Sequence, residues 1–498
     1  MFYTSTRNNQ VHVTASQAIT AGISADGGLF VPESLPQITL DELRRLSGLD
    51  YIGKAKAILS LFLTDFTADE IDECVQSAYS HGKFSDDKIA PLVDIGDGMY
   101  VLELWKGPTC AFKDMALQLL PQLLTTSARK AAPGKEIVIL VATSGDTGKA
   151  ALEGFKDVPG TKILVFYPND GVSPMQKLQM TTQEGGNVGV CAIDGNFDDA
   201  QNGVKAIFTD SVLAQKLEKH NMMFSSANSI NWGRLVPQIV YYIAAYCELA
   251  AQGTVTLGDK INIVVPTGNF GNILAAYYAK EMGLPVHKLI CASNANNVLT
   301  EFLQTGVYNR KRDFYTTLSP SMDILISSNL ERLLYSLSGK DDGYVKQLMV
   351  SLAETGAYEV RAEIKAEIAA LFAAGCCDDV GTRATIAQTL STRHYLSDTH
   401  TAVGLHVFTN YRQKAQDLTP AVIASTASPF KFSASVLSAL KPAGAQDGDE
   451  FAMLGELETL TGEKCPPQLA GLKDKPVRFD TRCAQDSMER VVLKLLKL

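Results

Sequence analysis

The sequence predicts an α/β protein whose strands are mainly parallel and joined by right-handed crossovers. Three observations lead there. Continuous apolar runs recur at 137–141 (IVILV), 163–167 (ILVFY) and 261–265 (INIVV), as strands buried on both faces require. A glycine-bearing turn closes each run: ATSGDTG, PNDGVSP and PTGNFGN. Helical segments such as KAALEGF and ILAAYYAK then follow.

Taken in order, residues 1–95 are short apolar runs broken by turns, notably SADGGLFVPESLP at 24–36, with helical patterns at 40–46 and 55–66. They predict an N-terminal cap domain. Residues 96–260 predict a smaller α/β domain, including a helix over 115–124. Residues 261–440 predict a larger α/β domain. Within it, 300–400 is helical and more charged (SNLERLLYSLS, VRAEIKAEIAALFAAG), and AVIASTASPFKF at 421–432 reads as a buried strand entering a polar turn. The tail, 441–498, carries Pro, Gly and charge and predicts a peripheral segment.

At 498 residues the chain exceeds what one hydrophobic core usually organises. Apolar stretches fall far short of the ~20 residues of a membrane span, so no membrane partner is expected. A net charge of -9 with a pI near 5.4 argues against a broad nucleic-acid surface and for a small-molecule substrate. The nine cysteines include the adjacent Cys376 and Cys377, but no Cys/His ligand spacing appears, so no metal is expected. Free thiols and the absence of a secretory pattern at the start predict a reducing, cytoplasmic setting.

Three constellations carry chemistry. In Pro266-Thr267-Gly268-Asn269-Phe270-Gly271-Asn272, glycines let backbone N–H groups turn inward beside a helix start, which suits a phosphate. The spacing is neither GxGxxG nor that of a nucleotide P-loop. Thr143-Ser144-Gly145-Asp146-Thr147-Gly148 is a second strand-to-helix turn, suited to a carboxylate or phosphate, although Asp146 or Thr147 could equally serve as a plain N-cap. Third, Lys113 sits in an apolar stretch (GPTCAFKDMA) where a helix should begin; desolvation and a helix N-terminus both lower a lysine's pKa, as an amine that attacks an aldehyde needs. Asp114 offers a salt-bridge or capping alternative. A reactive lysine, a phosphate site and a carboxylate site are together the attachments pyridoxal phosphate requires when it acts on an amino acid.

At these residues the chain resembles the threonine synthases, within the fold-type II pyridoxal-phosphate enzymes. The matching segments are DGGLFVPE (26–33), GPTCAFKDMA (107–116), ATSGDTGKAAL (142–152), SINWGRLVPQIVYY (229–242), VPTGNFGNILAAYYAK (265–280) and STASPFKF (425–432). The resemblance implies two open, twisted, mainly parallel sheets flanked by helices, with an N-terminal cap domain and extra helices. It implies that Lys113 is the catalytic residue carrying pyridoxal 5'-phosphate as an internal aldimine. Gly268, Asn269, Phe270, Gly271 and Asn272 would cradle the cofactor phosphate, Asp146 would lie at the cofactor's O3', and Thr426 would meet the pyridine nitrogen. Thr143, Ser144, Gly145, Thr147 and Gly148 would hold the substrate carboxylate. Asn231 and Arg234, with Lys106, are candidates for the substrate's own phosphate. An ionised Asp146 can only accept hydrogen bonds, where many relatives carry a donating Asn.

The reaction implied is the conversion of O-phospho-L-homoserine and water to L-threonine and phosphate. The alternatives are another type II lyase (threonine dehydratase, cysteine synthase or cystathionine synthase) and a non-catalytic binder of phospho-ligands.

Overall fold

Strands that are apolar on both faces need cover on both, and helices supply it in a computed structural model that describes residues 1–80, 82–170, 172–441 and 449–498. Gly171, in the PNDGVSP turn, and 442–448 of the tail lie outside the described residues.

The N-terminal strands β1 (Tyr3–Ser5), β2 (Asn8–Val13) and β3 (Phe30–Pro32) form an antiparallel sheet in the order β2-β1-β3. Next come β4 (Leu92–Asp94), β5 (Met99–Glu103), β6 (Glu136–Ala142), β7 (Thr161–Pro168), β8 (Val188–Asp194) and β9 (Met222–Ser225). They are followed by β10 (Ile261–Pro266), β11 (Val286–Ser293), the short pair β12 (Val307–Asn309) and β13 (Ala357–Glu359), β14 (Phe372–Cys376), β15 (Ala421–Ser425) and β16 (Arg482–Ala484). A six-stranded sheet runs β14-β11-β10-β15-β5-β4, parallel except for β4 on its edge. A five-stranded sheet, β16-β8-β7-β6-β9, is parallel throughout. The chain is therefore α/β, with two mainly parallel sheets flanked by helices.

The division at 95, 260 and 440 read from the sequence follows chain order, and the sheets do not. β5 lies inside the 96–260 segment yet pairs with β15 in the larger sheet, Val101 opposite Ile423. The tail is not merely peripheral, because β16 adds an edge strand to β8. Behind it Met488, Val492 and Leu496 are buried against Val138, Leu140, Phe166 and Ile193. Hydrogen bonding between strands far apart in sequence decides both placements, and local pattern carries no trace of it.

The single helix expected over 115–124 is two, Asp114–Leu117 and Leu120–Ala131. Pro121 stands in the first turn of the second, where its missing N–H is harmless; inside one continuous helix it would break the ladder. The N-terminal segment docks through aromatic packing and ion pairs. Trp232, fully buried, has the rings of Tyr3, Phe62 and Tyr278 within 5.8 Å. Arg7 donates twice to the Glu331 carboxylate at 2.7 Å. Among the described residues no helix is long and apolar enough to cross a membrane.

Candidate active site

In an open parallel sheet, ligands bind beyond the carboxyl ends of the strands. β5, β15 and β10 are adjacent and parallel, so the segments that follow them leave the sheet at one end. Those segments carry Lys113, Thr426 with Lys431, and the PTGNFGN loop. The turn after β6 brings Asp146 to the same place from the other sheet, where its Oδ2 lies 3.6 Å from Lys113 Nζ.

Lys113 is 8% exposed. The backbone around it is fixed on both sides: Phe112 N–H donates to Thr426 O at 2.8 Å, and Ser428 N–H donates to Cys110 O at 3.1 Å. Asp114, also buried, accepts from Thr109 N at 2.8 Å and from Thr109 Oγ1 at 2.6 Å, so its role is to tie the turn that presents Lys113. Burial pushes Asp114 up to about 6. Burial also pushes Lys113 down to about 8, with Asp146 opposing and the positive charges of Arg234 and Lys431 assisting. The helix beginning at Asp114 is only four residues long, so desolvation, more than a helix terminus, sets this amine.

The PTGNFGN loop has two carbonyls pinned and the N–H groups of 268–270 free. Gly268 O accepts from Ser327 Oγ at 2.8 Å, and Asn269 O accepts from Asn329 N and Nδ2 at 3.3 and 3.1 Å. No protein acceptor for the N–H groups of Gly268, Asn269 and Phe270 is found among the described residues. Phe270 holds a left-handed conformation, φ 61°, with its ring buried, which aims the turn into the helix Gly271–Glu281. Asn272 Oδ1 meets the Tyr241 hydroxyl at 2.7 Å, and its Nδ2 is a buried donor without a partner among the described residues. Free N–H groups at a helix start beside an unpartnered amide donor fit a phosphate.

The SGDTG turn divides its labour. Thr143 Oγ1 accepts from the N–H groups of Gly145 and Gly148 at 3.0 and 2.9 Å, so these two N–H groups shape the turn while the Thr143 hydroxyl keeps its own proton to donate. Gly145 has φ 133°, and a Cβ there would come within 2.4 Å of Gln176, so only glycine fits. Ser144 and Thr147 are partly exposed. They remain beside the first turn of the helix Asp146–Phe155. Asp146 is no N-cap; that position is Gly145, and no side chain caps it.

The Asp146 carboxylate bridges two lysines. Oδ1 lies 2.6 Å from Lys431 Nζ and accepts from Gln176 Nε2 at 3.0 Å, while Oδ2 accepts from Ser321 Oγ at 3.1 Å. Burial alone would raise its pKa; Lys431 and Lys113 outweigh that and hold it well below the usual carboxylate range. Asp146 is therefore an ionised acceptor. Lys113 Nζ also reaches Ser321 Oγ at 3.3 Å, and His400 Nε2 accepts the Ser321 N–H at 3.2 Å while its Nδ1 lies 2.9 Å from Asp398.

Two candidates for an anion contact are otherwise engaged. Asn231 caps the helix Trp232–Ala251 through Gly233 N at 2.9 Å and gives both amide hydrogens to Ile19 O and Ser226 O. Lys106 pairs with Glu103 at 2.8 Å and lies over the Trp105 ring. Arg234 differs. It is 5% exposed, donates to Ala227 O at 2.9 Å, and has no carboxylate partner among the described residues. Burial pushes its guanidinium down to about 10.

Lys431, Ser321, His400, Gln176 and Arg332 are drawn into the site or its support without having been singled out in the sequence. Only Lys431 carried a signal, as the basic residue inside SPFKF. Arg332, fully buried, bonds Asn329 Oδ1, Phe30 O and Ile230 O, and so joins DGGLFVPE and SINWGR to the residue that pins Asn269.

Comparison with known proteins agrees with this geometry. Family models described as threonine synthase N terminus, pyridoxal-phosphate dependent enzyme, and threonine synthase C-terminal match residues 2–79, 90–416 and 401–492. A human protein named threonine synthase-like 1 is 40% identical over 437 residues, 86% of this chain and 58% of that one. The chain thus spans somewhat over half the length of that relative. A threonine synthase of Pseudomonas aeruginosa is 40% identical over 433 residues, covering 87% of this chain and 89% of the relative. The crystal structure of pyridoxal-phosphate-bound threonine synthase from Brucella melitensis superposes with a TM-score of 0.88 at 38% identity, covering 100% of both chains.

Proposed function

The chain belongs to the threonine synthase family of pyridoxal-phosphate-dependent enzymes, and from that footing we propose that it is a lyase converting O-phospho-L-homoserine and water to L-threonine and phosphate. Its cofactor is pyridoxal 5'-phosphate. The observation that carries the reading is Arg234, a buried guanidinium that donates to Ala227 O and has no carboxylate partner among the described residues. A substrate with a carboxylate and a phosphate needs one anion site more than a simple amino acid does.

We assign Gly268, Asn269, Phe270, Gly271 and Asn272 to the cofactor phosphate, and Lys113 to its aldehyde carbon. Thr426 follows β15 directly, and no partner for its hydroxyl is found among the described residues, which leaves it free for the pyridine nitrogen. Bound pyridoxal phosphate supplies an electron sink conjugated to the substrate's Cα. Lys113, poised near neutrality, removes the proton at Cα and moves protons at Cβ and Cγ. Ser144 and Thr147, with the first-turn N–H groups of their helix, orient the substrate carboxylate. Arg234 receives the phosphate as the Cγ–O bond breaks, since its planar fork matches phosphate oxygens. Water then adds at Cβ.

The test is product analysis on purified, cofactor-loaded protein. Equimolar phosphate and threonine from O-phospho-L-homoserine support the reading. A ketoacid from threonine, or product only when sulfide or a thiol is added, would assign the chain to a related lyase. Cofactor binding with no turnover of any of these substrates would mark a binding protein.

A further inference from the structure

The charge count at Asp146 is uneven. One carboxylate faces two lysines, and the two contacts differ: 2.6 Å to Lys431 and 3.6 Å to Lys113. Lys431 is wholly enclosed and is held in place by a second hydrogen bond, to Thr109 O at 3.0 Å; Thr109 is in turn fixed by Asp114. Gln176 and Ser321 hold the two carboxylate oxygens from other sides. A lone Asp146 and Lys113 would make a buried ion pair with a balanced charge, which favours a protonated lysine. Lys431 and Arg234 bring two further positive charges against Asp146 and the buried Asp114, so the cluster holds surplus positive charge, and losing the Lys113 proton relieves it.

We propose that Lys431 is a positioning residue for cofactor capture: it occupies Asp146 so that the carboxylate does not close on Lys113, leaving the Lys113 amine free to react. The inference rests on Lys113 being the residue that receives the cofactor. In that step the neutral Nζ forms a C=N bond to the aldehyde carbon, and the aldehyde oxygen leaves as water with both amine protons. The groups facing Lys113 are Asp146 from the helix Asp146–Phe155, Lys431 from the turn after β15, and Arg234 from the helix Trp232–Ala251. Ser321 bonds it with His400 behind, and the Phe112 ring lies 5.1 Å away.

The experiment measures the rate at which apoprotein captures pyridoxal phosphate across pH, by absorbance and by borohydride trapping with peptide mapping. Wild-type capture should rise through a midpoint near 8. In Lys431→Met the midpoint should move up by about one unit or more, slowing capture roughly tenfold at neutral pH, since an unshared carboxylate acts at full strength. Lys431→Arg should keep the wild-type midpoint. The double variant Asp146→Asn with Lys431→Met, which removes both charges, should return the midpoint to the wild-type value or below. An unmoved midpoint in a folded Lys431→Met protein, or a double variant as slow as the single, overturns the proposal. If Lys431→Met does not fold, Asp146→Asn decides: its midpoint must fall. Wild-type label found elsewhere than Lys113 would instead refute the cofactor-site reading itself.

Discussion

A lysine becomes a useful amine at neutral pH when its charged form loses solvation, and burial does this for Lys113. The amine and the phosphate-binding loop are separate parts of the site, so they should separate on mutation. Lys113→Ala should still bind pyridoxal phosphate reversibly through the Gly268–Asn272 loop, with no label after borohydride; equilibrium dialysis beside peptide mapping checks both halves. At this scale the sequence was partly legible. Lys113, Asp146 and the glycines stand in short motifs whose backbone demands are local. Ser321, His400 and Arg332 do not, because each contributes through partners far away in the chain, such as Arg332 to Phe30. An Asn before a helix can cap it or bind an anion, and the cap and amide contacts that Asn231 makes to Ile19 and Ser226 depend on residues the local motif does not reveal.

Elements set the distances that those side chains need. The helix Asp146–Phe155 packs so closely on the segment after Lys113 that a Cβ on Gly154 would come within 1.9 Å of Leu117 O. Gly154→Ala should therefore push the Asp114–Leu117 turn away, costing about 1–3 kcal/mol by overpacking and slowing cofactor capture; urea unfolding and absorbance measure the two effects. The apolar runs at 137–141, 163–167, 261–265 and 421–425 were readable as strands because both faces are buried and no alternation is needed. β16 was not, since three residues with exposed ends carry no such pattern and owe their form to β8. The break at Pro121 was legible in principle, as a proline ends one ladder and starts another.

For the whole molecule, the site joins elements of both large sheets to the N-terminal segment, and the comparisons place the assembly in one family. The C-terminal strand and helix close the sheet that carries Asp146. Deleting 482–498 should expose the β8 edge and release Met488, Val492 and Leu496 from the core. Hydrogen exchange should then show lost protection in β8 and β7 while β10 and β15 keep theirs, because those strands belong to the other sheet.

In the proposed reaction phosphate leaves with cleavage of the Cγ–O bond and water enters at Cβ. Turnover of O-phospho-L-homoserine in ¹⁸O-labelled water, with mass analysis of both products, tests it most directly. That route puts one ¹⁸O in the threonine hydroxyl and none in the phosphate released. Label in the phosphate with homoserine as the co-product would mean attack at phosphorus, and would contradict it.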